Sequence, residues 1–401
     1  MAAADGVRPW QEDVYRDLHQ HPELSHQEHR TAAVVADRLG AAGFDVNTGV
    51  GGTGVVGILR NGEGPTVLLR ADMDALPVQE QTGLPYASSN AGVMHACGHD
   101  MHTVCLLGAA QLLASGQGHW SGTLVALFQP AEETIDGARG MVDDGLAQLT
   151  GPVDVALGQH VGPLPAGVLA TATGPAMAGG ISIRITVYGR GGHASMPEST
   201  VDPVVLASAI VMRLQGVVAR EIAPGDPAVL TVGSLQAGTK ANIIADRAEL
   251  LVNIRFYSEA ARTILLAAIR RILTAECAAS GSPREPDIEI FEEAPLIIND
   301  AAVTSRVEAA FAAALGPDVT ITAPRVLGSE DFSEIANGVG APYSFWFFGG
   351  ADPDAFRAAA AADRVATDIP SNHSPFYAPL IQPTLNVGTT ALVAAALEWL
   401  A

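Results

Sequence analysis

The chain has 401 residues, 48% of them hydrophobic and 16% charged, which excludes a disordered or fibrous protein and leaves room for two domains with separate cores. Its 43 acidic residues outnumber 22 lysines and arginines, and the formal charge of −21 repels phosphate backbones and anionic membranes, so nucleic acid is excluded as a partner. Cys97, Cys105 and Cys277 are too scattered for a disulfide framework, which favours a reducing compartment and predicts a cytoplasmic protein.

Neither terminal region predicts a targeting or membrane segment. Residues 1–14 carry several charges and no apolar run, unlike a signal or transit peptide. The uncharged stretch 374–397 is interrupted by Pro375, Pro379 and Pro383, so we expect no membrane span there. Residues 390–400 are instead typical of a core-packed helix.

The N-terminal half alternates helical patterns with short apolar runs. Helical periodicity extends over residues 7–42, and apolar strands are predicted at 66–70, 123–128 and 153–157, with helices near 103–115 and 138–146 between them. This alternation predicts an α/β fold with a mainly parallel sheet and helices on both faces. Ligands of such sheets gather beyond the carboxyl ends of the strands, where Asp72, Asp74, Glu132, Glu133 and His160 lie.

Two N-terminal features are interpreted as structural. The run Gly49–Gly54 matches the letters of a dinucleotide fingerprint, but a strand and a turn follow it, so we predict a glycine-rich hairpin. The histidines of the first helical segment share a face that Pro22 breaks, and we interpret them as surface or packing residues: His19, His21, His26 and His29.

After Pro175 the pattern changes to a β-α-β-β-α-β order, which predicts an inserted ferredoxin-like α+β domain. The elements are expected at 181–188, 201–219, 228–235, 248–256, 259–279 and 287–291. The α/β pattern then resumes, with a helix near 303–315 and a strand at 343–348. We therefore predict a discontinuous catalytic metal-binding domain at 1–176 and 294–401, and a lid and dimerisation domain at 177–293.

The stretch 94–102 is the densest concentration of metal-binding side chains in the sequence. Thiolate, imidazole and carboxylate groups bind borderline divalent cations, and this stretch holds Cys97, His99 and further His and Asp residues. Glu132 and Glu133 follow an apolar strand, where two adjacent acids repel unless a cation neutralises them. A ligand set for one or two ions is therefore predicted, with Glu132 as the acid/base: Cys97, His99, Glu133, His160 and His373.

The chain resembles the metal-dependent aminoacylases and amidohydrolases, which include hippurate hydrolases, bacterial N-acyl-amino-acid amidohydrolases and plant auxin-conjugate hydrolases. These belong to the wider group of carboxypeptidase G-like and aminoacylase-like dinuclear metallopeptidases. Nearly the whole chain is covered, by LHQHPELS at 18–25, RADMDALP at 70–77, HACGHD at 95–100, FQPAEE at 128–133, GHA at 192–194, SEDF at 329–332 and NHSP at 372–375.

The resemblance implies roles for individual residues. It makes Cys97, His99, Glu133, His160 and His373 the metal ligands, Glu132 the catalytic base and Asp74 the acid that orients a ligand. Relatives open one motif with His-x-Asp, whereas this chain has Asp72-Met73-Asp74, so His99 is expected to compensate. It also implies that His193 donates to the oxyanion, that Asn242 belongs to the lid, and that Arg255 meets substrate carboxylates.

These features together predict a hydrolase that cleaves the amide bond of N-acyl amino acids or short peptides, by a metal-activated water with Glu132 as general base. Two divalent ions per chain are expected, Zn²⁺ or Mn²⁺ foremost, with Co²⁺ or Ni²⁺ as further options. A homodimer through the lid domain is also expected, with His193 and Asn242 serving the neighbouring subunit.

Three alternatives remain open at the level of sequence. A dipeptidase or carboxypeptidase would use the same fold and ligands. A metal-bound protein without turnover would hold the ions but hydrolyse nothing. A nucleotide-binding oxidoreductase would use the Gly49–Gly54 loop and bind its dinucleotide even after chelation.

Overall fold

The computed structural model describes residues 4–401, so residues 1–3 of the N-terminal stretch, for which the sequence predicts no leader peptide, lie outside the described part. The chain divides into two compact units. The first comprises Met1–Ala176, Ile297–Arg325 and Asp331–Ala401, and the second comprises Met177–Leu296 and Val326–Glu330. The domain bounds predicted from the sequence, with an insert at 177–293, stay a prediction.

The helices and strands are numbered in chain order. The α-helices are α1 (Ala4–Gln20), α2 (His29–Ala41), α3 (His99–Ser115), α4 (Gly137–Asp143), α5 (Leu146–Thr150), α6 (Pro203–Glu221), α7 (Glu259–Ala279), α8 (Ala301–Leu315), α9 (Phe332–Gly338), α10 (Pro353–Ala361), α11 (Val365–Asp368) and α12 (Thr384–Leu400). The strands are β1 (Asp45–Val50), β2 (Gly54–Asn61), β3 (Thr66–Asp72), β4 (Gly122–Gln129), β5 (Val155–Pro165), β6 (Leu169–Thr171), β7 (Gly174–Met177), β8 (Gly179–Tyr188), β9 (Gly192–His193), β10 (Ala228–Ala237), β11 (Ile243–Ile244), β12 (Arg247–Phe256), β13 (Asp287–Ala294), β14 (Ile297–Asn299), β15 (Thr320–Thr322) and β16 (Tyr343–Ala351).

An eight-stranded sheet forms the centre of the first unit, in the order β1-β2-β4-β3-β5-β16-β6-β15. The middle strands β4, β3, β5 and β16 are mutually parallel, and β6 pairs with β15 in parallel. The pairs β1–β2, β2–β4 and β16–β6 are antiparallel. The predicted α/β class with a largely parallel sheet is confirmed, and of the antiparallel pairs only β1–β2 is a hairpin of consecutive strands.

The apolar core of the first unit joins this sheet to helices from both ends of the chain. Helix α12 packs against α3 and α8, and α1 packs against α3. Fully buried residues from these elements include Leu18, Leu69, Leu106, Phe128 and Leu392. The predicted terminal helix at 390–400 is confirmed, and it begins earlier, at Thr384.

The helical periodicity of residues 7–42 belongs to two helices rather than one. Helix α1 ends at Gln20, and a turn containing Pro22 leads to the start of α2 at His29. Proline lacks the amide hydrogen that a continuing helix needs, which explains the break.

The interpretation of Gly49–Gly54 as part of a hairpin is confirmed, because β1 and β2 pair antiparallel on either side of that turn.

The second unit contains a four-stranded antiparallel sheet in the order β10-β12-β8-β13. Its chain order is β8-α6-β10-β12-α7-β13, as in ferredoxin-like folds. Helices α6 and α7 pack on each other and bury one face of the sheet, with Ile183, Ile185, Leu250 and Leu265 in the core. A separate two-stranded antiparallel sheet pairs β9 with β11.

Helix α6 is long and apolar enough, by length and composition, to cross a membrane. A buried core helix can have the same length and apolar composition, so these two properties alone do not indicate a span. Three of its residues, Leu206, Ile210 and Leu214, are fully buried in the core of the second unit. Helix α12 is apolar but shorter.

Candidate metal centre

The start of helix α3 brings Cys97 and His99 to the end of the central sheet. Gly98 precedes the helix with a φ of 87°, in the left-handed region that glycine adopts without strain. A Cβ atom at this position would collide with Cγ1 of Val161 in the neighbouring strand β5. The helix can therefore begin here, close against β5, only because residue 98 is glycine.

His99 lies with one ring nitrogen fixed and the other available. Its Nδ1 donates to Oδ1 of Asp74 at 3.1 Å. Its buried Nε2 makes no hydrogen bond, and it lies 3.8 Å from an oxygen of Glu132 and 3.8 Å from an oxygen of Glu133. A histidine whose Nδ1 proton is held by a carboxylate presents its Nε2 lone pair, as metal-binding histidines do.

His160 is held in the same way, by the backbone. Its Nδ1 donates to the carbonyl oxygen of Val161 at 2.7 Å, and its Nε2 lies 3.4 Å from the sulfur of Cys97. Burial and the neighbouring His102 ring hold the pKa of His160 well below its ordinary value. The ring is therefore neutral, which is the form that binds a metal.

The loop before α12 contributes His373. Its backbone N–H donates to the carbonyl of Ala96 at 2.8 Å, and its Nε2 lies 3.4 Å from Oε2 of Glu133. The preceding Asn372 donates its amide to the carbonyls of Cys97 and Val161 at 3.0 and 3.1 Å. The loop is thereby fixed to both of the segments that carry Cys97 and His160.

Three overlapping groups of ligand atoms result, each with its members within 4.8 Å of one another. The groups are Cys97, His99 and His160; Cys97, Glu133 and His373; and His99, Glu132 and Glu133. The donors are thiolate, imidazole and carboxylate, which suit borderline divalent cations. Two buried atoms that make no hydrogen bond, His99 Nε2 and Glu133 Oε1, face this cluster, so the residues fit bound metal.

Asp74 links the two glutamates to the helix that carries His99. Its Oδ2 accepts the backbone N–H of Glu133 at 3.0 Å and the hydroxyl of Ser25 at 2.7 Å. Burial alone would raise the pKa of this carboxyl, but hydrogen bonds from His99, Glu133 and Ser25 hold its pKa below the ordinary value. Asp74 therefore stays ionised and orients both neighbours.

His102 is a site residue that the sequence reasoning missed. Its ring stacks on His99 with centroids 5.4 Å apart. Its Nδ1 lies 2.5 Å from Oδ1 of Asp72, and its Nε2 accepts the N–H of Val161 at 2.7 Å. With both nitrogens in use, His102 supports the centre and is not available as a ligand. The signal was the three-residue spacing from His99, which places both rings on one helix face.

Asp72 ends strand β3, where the sequence predicts it among the strand-end side chains, but its supporting contacts were not predicted. Burial alone would raise its pKa, but His99, His102 and the Arg70 guanidinium hold the pKa of its carboxyl well below the ordinary value. The fully buried Arg70 donates to Asp72 at 2.8 Å and to Gln129 at 2.8 Å. This network fixes the ends of β3 and β4 beside the ligand cluster.

The remaining predicted residues lie in the second unit. His193 is exposed in β9, which pairs with β11, and Ala194 donates its N–H to the carbonyl of Asn242 at 3.2 Å, so this two-stranded sheet brings both residues together. Arg255, in β12, donates from Nε to Asn253 at 3.1 Å and from Nη1 to the hydroxyl of Ser329.

A largely parallel α/β sheet with a cysteine, histidine and glutamate cluster at its strand ends is an arrangement that suits metal-dependent hydrolysis. Residues 68–368 match the model of peptidase family M20/M25/M40, and the chain belongs to this family. The protein is accordingly a hydrolase that acts on amide bonds.

Characterised relatives and solved structures agree with this assignment. The chain is 40% identical over 349 residues to thermostable carboxypeptidase 1 of Saccharolobus solfataricus, covering 86% of each chain. It is 41% identical over 281 residues to the hippurate hydrolase of Campylobacter jejuni, covering 70% of this chain and 71% of that protein. The crystal structure of the Bacillus subtilis YXEP protein, described as a dinuclear metal-binding peptidase of the M20 family, matches with a TM-score of 0.81 at 31% identity, covering 98% of both chains.

Proposed function

We propose that the protein is an N-acyl-amino-acid amidohydrolase. The observation that carries the proposal is the position of the Glu132 carboxylate, 3.8 Å from His99 Nε2, at the edge of a cluster with enough donors for metal without it. A carboxylate at that position can exchange protons with a water molecule and a leaving amine. The likeness to a hippurate hydrolase supports an acylated amino acid as the substrate.

We assign five ligands to two divalent ions per chain: Cys97, His99, Glu133, His160 and His373. Cys97 and His99 each belong to more than one group of neighbouring ligand atoms, which supports a site with room for more than one ion. Zn²⁺ and Mn²⁺ are the proposed metals, with Co²⁺ and Ni²⁺ as alternatives. Thiolate and imidazole donors favour Zn²⁺, and the resemblance to dinuclear metallopeptidases also allows the other three. When bound, such ions act as Lewis acids that make water more acidic and polarise an amide carbonyl.

The protein side chains then perform the proton transfers and the positioning. Glu132 takes a proton from the attacking water and returns it to the departing amine, while Asp74 keeps the Nδ1 proton on His99. His193 is assigned as the oxyanion donor, with Asn242 beside it at the same two-stranded sheet. Arg255 is assigned to the substrate carboxylate, since a guanidinium pairs with carboxylates in a bidentate manner.

A carboxypeptidase is the second candidate function. It is favoured by the 40% identity to thermostable carboxypeptidase 1 over most of both chains. The two activities differ in what lies on the acyl side of the scissile bond, a peptide for the carboxypeptidase and a simple acyl group for the amidohydrolase. The same ligands and the same base serve both reactions.

We further propose a homodimer formed through residues 177–293, and a cytoplasmic location. Dimerisation is supported by apolar side chains that stay exposed on helix α6 of the second unit, including Val205 and Met212. The location is supported by the cysteines, all three of which are free.

The first test is metal-dependent turnover on defined substrates. Protein stripped by a chelator and reloaded with Zn²⁺ or Mn²⁺ is assayed against N-acetyl and N-benzoyl amino acids and against dipeptides. We expect no turnover without metal, recovery on reloading, and faster hydrolysis of the N-acyl amino acids. Preference for peptides would favour the carboxypeptidase, and turnover in a preparation free of metal would contradict the proposal.

The second test separates the base from the ligands. Glu132→Gln should lower kcat by about 10²–10⁴-fold, because the general base is removed, while the metal content stays unchanged. Cys97→Ala and His373→Ala should instead lose metal first. Elemental analysis and steady-state kinetics on the same samples provide both readouts. A Glu132→Gln variant with full metal and near-normal kcat would refute the assigned role.

A further inference from the structure

The turn between α1 and α2 contains a buried acid that the proposed chemistry does not use. Glu28 has no exposed surface, and in the described residues 4–401 the donors that hold its carboxylate are backbone N–H groups and a hydroxyl. Its Oε1 accepts the backbone N–H groups of His26 at 3.0 Å and Ala131 at 2.9 Å. Its Oε2 accepts the hydroxyl of Thr53 at 2.5 Å. A buried carboxylate with three such donors is retained for what it holds in place.

One of those donors belongs to the residue directly before Glu132. Ala131 is fully buried and has a φ of 51°, in the left-handed region that residues with a Cβ atom rarely adopt. Its carbonyl accepts the N–H of Gly137 at 3.2 Å, and the backbone of Gly137 leaves no room for a side chain beside Pro130. The backbone conformation that aims Glu132 is thus held from outside, by Glu28 on one side and Gly137 on the other.

The same turn also reaches the second glutamate. Ser25 donates to Oδ2 of Asp74 at 2.7 Å, and that oxygen accepts the N–H of Glu133 at 3.0 Å. Two residues of one turn, three positions apart, therefore fix the backbone on both sides of Glu132. The sequence motif LHQHPELS overlaps the start of this turn but supplies none of the metal ligands. Holding the backbone around Glu132 gives the turn a physical role.

We propose that Glu28 is a positioning residue for Glu132: by accepting the Ala131 N–H it keeps Ala131 in the left-handed conformation that aims the Glu132 carboxylate at the ligand cluster. The inference rests on the proposed role of Glu132 as the base. Without the acceptor, the Ala131 N–H is buried without a partner and the segment relaxes towards a right-handed or extended backbone. The ligands Cys97, His99, His160 and His373 lie on other segments, and the backbone of Glu133 stays bound to Asp74, so metal binding continues.

Three substitutions at position 28 separate positioning from packing. Glu28→Gln keeps an oxygen acceptor for Ala131, and kcat should stay within about threefold of the wild type. Glu28→Met keeps the volume but no acceptor, and kcat should fall about 10–100-fold with KM and metal content unchanged, as expected when a reacting group is displaced. If Glu28→Met does not fold, Glu28→Asp takes its place, because its carboxylate is too short to reach Ala131, and the same kcat loss is expected.

The matched control is Thr53→Val, which removes another hydrogen bond to Glu28 without touching Ala131. It should lower the stability of the protein while kcat stays within about threefold of the wild type. If Thr53→Val lowers kcat as much as Glu28→Met does, or if Glu28→Gln fails to preserve turnover, Glu28 has a general structural role and the inference is wrong.

A double variant distinguishes failure of this inference from failure of the proposed function. If Glu28 acts only through Glu132, adding Glu28→Met to Glu132→Gln should leave the residual kcat within about twofold, because residues that act as a unit are not additive. A further loss equal to that of the single Glu28→Met change would overturn the inference while leaving Glu132 as the base. Normal turnover by Glu132→Gln alone would instead refute the proposed function.

Discussion

The hydrogen bond on one ring nitrogen decides what each histidine of the centre can do. His99 and His160 both donate from Nδ1, to Asp74 and to the carbonyl of Val161, so each presents Nε2 to the ligand cluster. His102 lies against both rings but uses Nδ1 for Asp72 and Nε2 for the N–H of Val161. Three neighbouring imidazoles thus have two different functions, and the difference arises from their hydrogen-bond partners.

His19 is a further buried histidine, and its ring lies between the carboxylates of Asp100 and Glu80. It is fully buried, with Nδ1 2.7 Å from Asp100 and Nε2 3.4 Å from Glu80. Burial alone would lower the pKa of His19, but the two carboxylates raise it to about 9. Both nitrogens carry protons, and the ring is an imidazolium at neutral pH.

This predicts a pH-dependent contribution to stability. Because the folded pKa lies above the unfolded value of about 6.5, the contribution is fully present below pH ~6.5 and is lost as the pH rises through about 9. The pKa shift of His19 corresponds to about 3 kcal/mol of stability. Between about pH 6 and pH 10, the free energy of unfolding should therefore fall further in the wild type than in His19→Gln, by about 3 kcal/mol. Urea unfolding at the two pH values measures this difference.

The control is His29→Gln, a substitution at the exposed first residue of α2, measured at the same two pH values. If the wild type and His19→Gln lose stability in parallel over this range, His19 is neutral in the folded protein and the imidazolium assignment is wrong.

At the residue scale, the sequence predicted which side chains belong to the core or the site better than it predicted their hydrogen-bond partners. The interpretation of the early histidines as surface or packing residues is right for His19 in that it is buried in the core. Its partner Asp100 lies 81 residues away, however, and no local pattern connects the two. The supporting contacts of Asp72 and His102 were not predicted for the same reason, because they form only after the strands and α3 come together.

At the scale of elements, the start of helix α3 is the point where backbone conformation and the metal cluster meet. Gly98 has a positive φ, and its Cα lies against Val161, whose N–H and carbonyl bind His102 and His160. Any side chain at residue 98 would press on the strand that holds those two histidines. The packing of α3 on β5 and the geometry of the ligands are thus coupled at this residue.

Gly98→Ala should therefore destabilise the protein by about 1–3 kcal/mol and reduce the metal content, because it combines an unfavourable φ with a steric clash. Gly118→Ala is the matched control, since nothing lies within 4 Å of a Cβ atom there and its φ is not positive. Urea unfolding and elemental analysis are carried out on both variants. Equal stability and equal metal content in the two variants would show that the close approach at Gly98 is unimportant.

Local periodicity predicted most elements, including strands β3 and β4 and helix α7, because a strand or helix with a buried face repeats its apolar residues at a fixed interval. It did not predict the strand order, in which β4 lies between β2 and β3. Nor did it predict the turn from Gln20 to His29 or the left-handed Ala131, since both depend on contacts between distant segments.

At the scale of the whole molecule, the second unit leaves apolar surface uncovered in the single chain. Val205 and Met212, seven residues apart on one face of α6, have 65% and 74% of their surface exposed. On the sheet, β10 is an edge strand, with Val229 and Leu235 partly exposed along it. An apolar helix face beside an unpaired strand edge is a surface that pairing across a two-fold axis would bury.

The proposed homodimer makes a prediction about activity as well as mass, because His193 and Asn242 would then serve the site of the partner subunit. His193→Ala and Glu132→Ala should each be inactive as homodimers. In a mixed dimer, the subunit with an intact Glu132 is served by the intact His193 of its neighbour, so one of the two sites works. Equal mixing under conditions of subunit exchange should restore about a quarter of the wild-type activity, since half of the dimers are mixed.

Exchange is verified independently, by mass spectrometry of differently tagged subunits, and light scattering gives the mass of the assembly. The added variant Met212→Glu places a charge on the apolar face of α6 and should shift the protein towards monomers, with loss of the restored activity. If mixed dimers form and activity stays at the level of the separate variants, His193 does not act in trans. A monomeric wild type would refute the dimer itself. The assigned ligands and Glu132 would then still be tested by the single-chain variants Glu132→Gln, Cys97→Ala and His373→Ala.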